Sequence, residues 1–215
     1  MKLFLDSANV EEIEKRLHTG IIEGVTTNPT LIKKSGRKPD EVYADLIENL
    51  GVQDLSIEVN GWSAEDLMQN GITYGKCWTH EATIKLPCTQ EGIKACKILS
   101  DMGIRTNVTL VFSVEQAILC SIAGATYVSP FIGRLDDIGQ CGISVLRDIA
   151  EVLRINRSDT KVLAASIRDK ETVGLAFEAG AEICTVPPEV FDEMFRHELT
   201  DAGLRKFMHD SGQAP

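Results

Sequence analysis

Eight short apolar segments, each followed by a helical pattern, recur about every 25 residues along the 215-residue chain. Strands that alternate with helices in this way lie side by side in a parallel sheet. Eight such units are enough to close the sheet into a barrel, which leaves no edge strand exposed. We therefore predict an α/β protein, a (β/α)8 TIM barrel with an additional C-terminal helix.

The alternative to a barrel is an open, doubly wound sheet. Such a sheet usually carries a glycine-rich phosphate loop after its first strand. Here the first strand runs into Asp6-Ser7-Ala8-Asn9, which matches neither GxGxxG nor GxxxxGK(S/T). The barrel is favoured, as a single domain spanning residues 1–215 with the extra helix at about 201–209.

The same pattern predicts where each element lies. The predicted strands cover residues 2–8, 24–28, 54–60, 82–87, 106–111, 127–132, 161–167 and 183–186. Helices are predicted at 10–17, 29–34, 40–49, 63–68, 90–102, 114–123, 143–155, 171–179 and 188–195. After the third strand, Gly71 and Gly75 each cost about 1 kcal/mol relative to alanine in a helix interior. We expect that segment to be broken or partly looped.

Charge and cysteine content narrow the possible partners. The net charge of −10 weighs against nucleic acid or an anionic membrane, because both need a basic footprint. It still permits an anionic small substrate held by a few local arginines. The six cysteines show neither CxxC nor zinc-ligand spacing, so we interpret them as reduced thiols of a cytoplasmic protein. No stretch has the ~18 apolar residues of a membrane span.

Polar side chains collect at the predicted carboxyl ends of the strands, which form the mouth of a barrel enzyme. Any one of them could be a core polar group with a hydrogen-bond partner, but their gathering at one end favours a functional site. Arg134 comes just after the sixth strand, and the others are Asp6, Asn28, Glu58, Asn60, Lys85, Asn107, Thr109, Ser129, Ser166 and Arg168.

Lys85 is the most informative of these residues, because it lies in the middle of the apolar strand 82–87. Lysine is almost never fully buried unless it is paired. Burial of an amine disfavours its charged form and frees a nucleophile. The alternatives are a structural lysine in a salt bridge and a side chain that reaches the rim.

Asp6 and Glu58 are the carboxylates available to move protons for such an amine. We expect Glu58 to face Lys85 across the mouth, with a water and the Thr109 hydroxyl between them. Two alternatives stay open. Asp6 could cap the following helix, and Glu58 could form an ion pair that keeps Lys85 charged and inert.

Arg134 and Arg168 follow the sixth and seventh strands, where barrel enzymes often bind phosphate. Arginine grips a phosphate with two parallel hydrogen bonds. Ser166 shares a strand end with Arg168 and strengthens the prediction of a phosphate site. The alternative for either arginine alone is an ordinary surface position.

Six motifs in this order resemble the short-chain transaldolases, the group that also contains fructose-6-phosphate aldolase. The resemblance runs nearly end to end. The motifs are Phe4-Leu5-Asp6-Ser7-Ala8, Gly24-Val25-Thr26-Thr27-Asn28-Pro29, Ile84-Lys85-Leu86-Pro87, Thr106-Asn107-Val108-Thr109-Leu110-Val111-Phe112, Tyr127-Val128-Ser129-Pro130-Phe131-Ile132-Gly133-Arg134 and Ala164-Ala165-Ser166-Ile167-Arg168.

The resemblance implies a role for each candidate residue. Lys85 would form a Schiff base, and Asp6 would handle the proton of the substrate hydroxyl as the C–C bond breaks. Glu58 and Thr109 would act through a water in forming and dehydrating the carbinolamine. The remaining residues would bind the sugar or its phosphate: Asn28, Asn107, Ser129, Phe131, Arg134, Ser166 and Arg168. Neither a metal nor an organic cofactor is implied.

The implied reaction moves a dihydroxyacetone unit from fructose 6-phosphate or sedoheptulose 7-phosphate to erythrose 4-phosphate or glyceraldehyde 3-phosphate. Glu58 and Phe131 resemble transaldolases, whereas fructose-6-phosphate aldolases have Gln and Tyr there. Two alternatives remain, an aldolase that releases free dihydroxyacetone and a catalytically silent sugar-phosphate binder. The resemblance also implies a homo-oligomer, a pentamer or decamer, in which the last helix reaches a neighbour.

Overall fold

The computed structural model describes residues 1–212, so residues 213–215 of the predicted domain lie outside the described part. Each strand pairs in parallel with the next, and the last pairs with the first. This closed barrel confirms the predicted fold. Its strands are β1 (Lys2–Asp6), β2 (Ile22–Thr26), β3 (Leu55–Glu58), β4 (Ala82–Pro87), β5 (Thr106–Val111), β6 (Tyr127–Pro130), β7 (Lys161–Ala164) and β8 (Ile183–Val186).

Helices surround the barrel, and none within residues 1–212 is both long and apolar enough to cross a lipid bilayer. Several begin at an Asn, Ser, Thr or Asp whose side chain accepts a hydrogen bond from the first turn, which satisfies an otherwise unpaired N–H. They are α1 (Val10–Leu17), α2 (Pro29–Ser35), α3 (Pro39–Ala44, continued by a π-helical turn at Asp45–Asn49), α4 (Ala64–Cys77), α5 (Gln90–Asp101), α6 (Val114–Ile122), α7 (Ile132–Asp137), α8 (Gly142–Ile155), α9 (Lys170–Glu178), α10 (Pro188–Glu193) and the additional C-terminal α11 (Glu198–Asp210).

The expected break after the third strand is wrong, because α4 runs without interruption through both of its interior glycines. Each glycine is buried where α4 meets a neighbouring element. A Cβ added at Gly71 would lie 2.7 Å from Leu99 Cδ1, and one at Gly75 would lie 2.8 Å from Ile104 Cγ2. The glycines therefore permit a close approach of α4, and this packing offsets their low helix propensity.

A second difference is α7, which the pattern assigned in part to the sixth strand. That strand ends at Pro130, and the helix begins two residues later. The N–H groups of Ile132 and Gly133 donate to the carbonyls of Ala165 and Ser166 at 3.0 and 3.1 Å. The loop after β7 thus satisfies the start of α7, a tertiary contact that local periodicity does not report.

The barrel interior divides into an apolar floor and a polar mouth. Phe4, Tyr127, Leu163 and Ile183 pack together as the floor. Gly24 leaves space for the Phe4 ring, since a Cβ there would lie 2.6 Å from Phe4 Cζ. The strands then carry polar side chains toward their carboxyl ends: Asp6, Thr26, Ser56, Lys85, Asn107, Ser129 and Thr185.

A mostly buried cluster around Asp54, here called the Asp54 cluster, connects the amino-terminal ends of the four strands β3, β4, β5 and β6. Asp54 accepts hydrogen bonds from Thr83 Oγ1 at 2.8 Å, Arg105 Nη1 at 2.9 Å and Tyr127 Oη at 2.6 Å. Arg105 also donates to the His80 carbonyl at 2.7 Å. Because each partner comes from a different strand or loop, the cluster links four strands at the end opposite the mouth.

Candidate active site

A cavity of about 130 Å³ lies at the carboxyl ends of the strands. It is smaller than the roughly 300 Å³ that encloses a whole small ligand, so it suits the reacting end of a substrate. Eight of the eleven predicted site residues line it, and Glu58, Thr109 and Arg168 are not among the lining residues. The lining consists of Asp6, Thr26, Asn28, Lys85, Asn107, Ser129, Phe131, Arg134, Leu163, Ala165, Ser166 and Thr185.

Lys85 projects from β4 into this cavity, and its side chain is only 6% exposed. Its Nζ lies 3.0 Å from Glu58 Oε2 and 3.1 Å from the Thr27 carbonyl oxygen. The contact follows from the strand register, which places Glu58 of β3 beside Lys85. The direct contact differs from the expected separation by a water and the Thr109 hydroxyl. The Glu58 carboxylate is thus close enough to exchange a proton with the amine.

Thr109 lies on β5 and pairs with Pro87 of β4, two residues after Lys85. Its hydroxyl is buried and has no hydrogen-bond partner among the residues that the structure describes. The next residue, Leu110, has a φ of 60°, and the pairing of β5 with β6 shifts between Val108 and Val111. A buried hydroxyl without a protein partner is available to a substrate oxygen.

Asp6 accepts a hydrogen bond from one hydroxyl group, which in turn contacts a second hydroxyl group on the neighbouring strand β8. Thr26 donates to Asp6 Oδ1 at 2.8 Å, and the Thr26 and Thr185 oxygens lie 2.7 Å apart. Burial raises the pKa of the Asp6 carboxyl above its ordinary value, although the Lys85 charge and the Thr26 hydrogen bond oppose the rise. Asp6 does not cap the following helix, because the Asn9 side chain does so.

Thr26 and Thr185 are site residues that sequence reasoning missed. The alternation of side chains along β2 could have identified Thr26. It pairs with Asp6 across the β1–β2 register, and its side chain faces the same side of the sheet. Ser56 was missed in the same way. Its Oγ accepts a hydrogen bond from Asn107 Nδ2 at 3.1 Å.

A short polar chain crosses the mouth between β3 and β6. Ser129 donates to Asn107 Oδ1 at 2.6 Å, which leaves Asn107 fixed between Ser129 and Ser56.

Asn28 is the cap of α2, with its Oδ1 accepting from the Leu31 N–H at 3.0 Å. Asn60 is exposed and lines a neighbouring cavity that it shares with Glu58. Amide and hydroxyl groups of this kind donate and accept hydrogen bonds, and they do not ionise near neutral pH.

The two predicted phosphate-binding arginines differ in position. Arg134 lines the cavity, and its Cζ lies 5.0 Å from the centre of the Phe131 ring. Arg168 is exposed and pairs with Asp137 on α7. The Arg168 hydrogen bond lowers the pKa of Asp137, and the charge of Arg134 lowers it further. One carboxylate thus lies within the field of both guanidinium groups.

Ser166 lines this end of the cavity, and its carbonyl accepts a hydrogen bond from the Gly133 N–H of α7. Its φ is 59°, a left-handed conformation that costs a non-glycine residue about 1–2 kcal/mol. A Cβ at Gly133 would lie 2.5 Å from the Ser166 carbonyl oxygen and 2.8 Å from Arg168 Nε. The close approach at Gly133 therefore brings Ser166, Arg134 and Arg168 to one side of the mouth.

Fold and site together define a (β/α)8-barrel enzyme whose buried lysine faces two carboxylates at the mouth. The family model described as transaldolase/fructose-6-phosphate aldolase matches residues 3–214. The chain belongs to this transaldolase/fructose-6-phosphate aldolase family.

Curated relatives of similar length agree with this assignment. A "probable transaldolase" of Symbiobacterium thermophilum is 46% identical over 210 residues, covering 98% of this chain and 96% of the relative. A "probable transaldolase" of Anaeromyxobacter sp. is 46% identical over 215 residues, covering 100% and 99%. "Probable transaldolase 1" of Listeria monocytogenes is 46% identical over 210 residues, covering 98% and 97%.

Proposed function

We propose that this enzyme is a transaldolase of the non-oxidative pentose phosphate pathway. It transfers a dihydroxyacetone unit from fructose 6-phosphate or sedoheptulose 7-phosphate to erythrose 4-phosphate or glyceraldehyde 3-phosphate. The observation that carries the proposal is the buried Lys85 amine, 3.0 Å from Glu58 in a mouth that Asp6 also lines. The names of the relatives support the same reaction.

The reaction begins with a proton transfer from Lys85 to Glu58. The neutral amine then attacks the ketone carbon of the donor and gives a carbinolamine. Glu58 returns the proton to the departing hydroxyl, water leaves, and a Schiff base forms. The buried Thr109 hydroxyl is placed to hydrogen-bond the oxygen that leaves. The ion pair left open by the sequence is in this view the resting state of the enzyme.

Asp6 governs the step that breaks the carbon–carbon bond. Its carboxylate removes the proton from the donor hydroxyl next to that bond, and the bond electrons move into the Schiff base. An aldose phosphate leaves, and a three-carbon enamine stays on Lys85. The aldehyde of the acceptor then takes up these electrons, and Asp6 returns the proton to the new hydroxyl.

The second candidate, an aldolase, differs in what happens to the enamine. Protonation of the enamine by a nearby acid would allow water to release free dihydroxyacetone. Phe131 lines the cavity and packs edge-on against Phe112 at 6.0 Å, so this position offers no proton. The intermediate therefore waits for an aldehyde, which favours the transferase.

The experiment that tests this choice measures fructose 6-phosphate consumption with and without erythrose 4-phosphate. We expect turnover only when the acceptor is present. The variant Phe131→Tyr should gain release of free dihydroxyacetone, because it adds a hydroxyl beside the intermediate. Phe112→Tyr, which changes the neighbouring ring, is the matched control. Full-rate turnover of the unaltered enzyme without acceptor would instead identify an aldolase.

Arg134→Ala is expected to raise KM for the donor about 10- to 100-fold, the effect of losing a charge-assisted hydrogen bond to phosphate. The contact is made both before and during reaction, so kcat should change little. Steady-state kinetics with fructose 6-phosphate measure both parameters, and Arg154→Ala on α8 serves as a surface control. A large loss of kcat at unchanged KM would contradict the role in binding.

Thr26 is proposed as a positioning residue whose hydrogen bond adjusts the proton affinity of Asp6. Asp6 must be ionised to accept the substrate proton, so activity falls as the pH drops through its pKa. Thr26→Val removes a hydrogen bond that lowers this pKa. The acidic limb of the kcat–pH profile should therefore move to higher pH.

The control for this shift is Thr160→Val, which removes a buried hydroxyl that donates to the Ala125 carbonyl away from the mouth. Its acidic limb should match that of the unaltered enzyme. A Thr26→Val enzyme with lower kcat but an unmoved acidic limb would show that Thr26 serves packing alone.

The predicted homo-oligomer, pentamer or decamer, and the cytoplasmic location remain proposals. The surface of α11 supports the first of them. Leu199, Leu204 and Phe207 are between 58 and 75% exposed on this helix outside the barrel. Several exposed apolar side chains on one element are typical of a surface that a partner covers.

A further inference from the structure

Two cysteine sulfurs are in contact just after the end of β4, the strand that carries Lys85. Cys88 directly follows β4, Cys120 is in α6, and their Sγ atoms are 3.9 Å apart. The remaining cysteines lack such a contact within the described residues: Cys77 and Cys141 are exposed, Cys184 is in the core, and Cys96 contacts hydroxyl groups. Within residues 1–212, Cys88 and Cys120 are thus the two thiols whose sulfurs are in direct contact.

The distance between the two sulfurs is short enough for a small movement to join them. A disulfide joins its sulfurs at about 2.05 Å, so the two sulfurs must approach by roughly 2 Å in total. Cys88 lies in a loop at the end of a strand, where a side chain rotates more easily than inside a helix. Cys88 is also half-buried, whereas Cys120 is fully buried. An oxidant from solution thus reaches Cys88 first.

The electrostatics of the pair give the two thiols different reactivity. The contact with Cys120 lowers the pKa of the Cys88 thiol. The same contact, together with burial, raises the pKa of the Cys120 thiol. Because the thiolate is the nucleophile toward an oxidant, the accessible cysteine is also the more reactive one.

We propose that Cys88 and Cys120 form a reversible oxidation site, at which a peroxide converts two thiols into an intramolecular disulfide. The Cys88 thiolate attacks one peroxide oxygen and the O–O bond breaks, which leaves a sulfenic acid. The departing hydroxide takes up the proton that the Cys88 thiol released, and one water forms. The Cys120 sulfur then attacks the Cys88 sulfur and expels the second water. Two electrons pass from the thiols to the peroxide, and a dithiol reductant reverses the change.

The position of the site gives the bridge a structural consequence. The Cys88 N–H donates to the Thr109 carbonyl at 2.9 Å, and Cys88 follows Lys85 by three residues. A bridge would fasten the end of β4 to α6 and restrict the loop that borders the mouth. The oxidation site does not depend on the sugar that the enzyme uses.

The test uses the full chain with Cys77→Ser and Cys141→Ser, which removes the exposed thiols that could cross-link two molecules. After treatment with hydrogen peroxide and unfolding, we expect the thiol count to fall from four to two. Digestion without reductant should give one linked pair of peptides containing Cys88 and Cys120, lighter by two hydrogen atoms. Dithiothreitol should restore all four thiols.

The control adds Cys88→Ser to the same background, and it should yield no linked peptide. A second control, Cys120→Ala in the same background, should likewise yield no linked peptide, and if either variant does not fold the other one provides the comparison. The proposal is overturned if peroxide oxidises Cys77 and Cys141 of the unaltered chain while Cys88 and Cys120 stay reduced. It is equally overturned if Cys88 gains oxygen atoms without forming the bridge.

Discussion

Replacement of Lys85 with alanine is expected to lower kcat by about 10⁴-fold or more, because a covalent mechanism then lacks its nucleophile. The fold should survive. The polar contacts of the lysine are those with Glu58 and the Thr27 carbonyl, and Glu58 keeps 22% of its side chain exposed to water. The carboxylate left behind can therefore be solvated.

Two measurements separate lost chemistry from lost structure in this variant. Circular dichroism and the urea midpoint report the fold, and borohydride reduction with fructose 6-phosphate reports the Schiff base as a covalent adduct. The unaltered enzyme should carry the adduct on Lys85, and Lys85→Ala should carry none. Lys94→Ala, at an exposed position on α5, is the control. An adduct on another lysine, or activity near that of the unaltered enzyme, would overturn the assignment of Lys85.

The second large effect is expected for Asp6→Asn, which should lower kcat by about 10²- to 10⁴-fold, the usual contribution of a positioned acid or base. Asparagine has nearly the same shape and can still accept the hydrogen bond from Thr26. The substitution therefore removes proton transfer while it preserves the site. Formation of the Schiff base should continue, because Lys85 and Glu58 perform that step.

The adduct mass identifies the step that fails. With fructose 6-phosphate and borohydride, Asp6→Asn should trap the intact six-carbon donor on Lys85, since the carbon–carbon bond is not broken. The unaltered enzyme should trap the three-carbon unit as well. Asp101→Asn, an exposed position on α5, should behave like the unaltered enzyme. A three-carbon adduct formed at the normal rate in Asp6→Asn would remove Asp6 from the cleavage step.

Much of the barrel was predictable from the sequence, because strands buried on both faces appear as uninterrupted apolar runs. The predicted bounds of β4, β5 and β8 agree with the structure to the residue. The first, third, sixth and seventh strands are shorter than predicted, and β2 begins and ends two residues earlier than predicted. Asn28 and Ser166 were assigned to strands, but the first caps a helix and the second has a left-handed backbone. These two mouth residues thus lie just beyond the paired residues of their strands.

The features that escaped prediction depend on contacts between distant segments. The two glycines of α4 weaken a helix locally, and only the packed neighbours Leu99 and Ile104 explain why it persists. The direct contact of Glu58 with Lys85 depends on the β3–β4 register, which periodicity does not specify. The pairing of Arg168 with Asp137 requires α7, an element that the pattern had assigned in part to a strand.

The Asp54 cluster lies at the opposite end of the barrel from every group proposed to touch substrate. Anchoring and chemistry are thus located in separate regions of the same strands. A protein engineer who wishes to alter the accepted aldehyde can vary Phe131 or Ser166 without touching the residues that clamp the strands together. Directed evolution can therefore change residues at the mouth of the barrel while the Asp54 cluster at the other end keeps the strands in place.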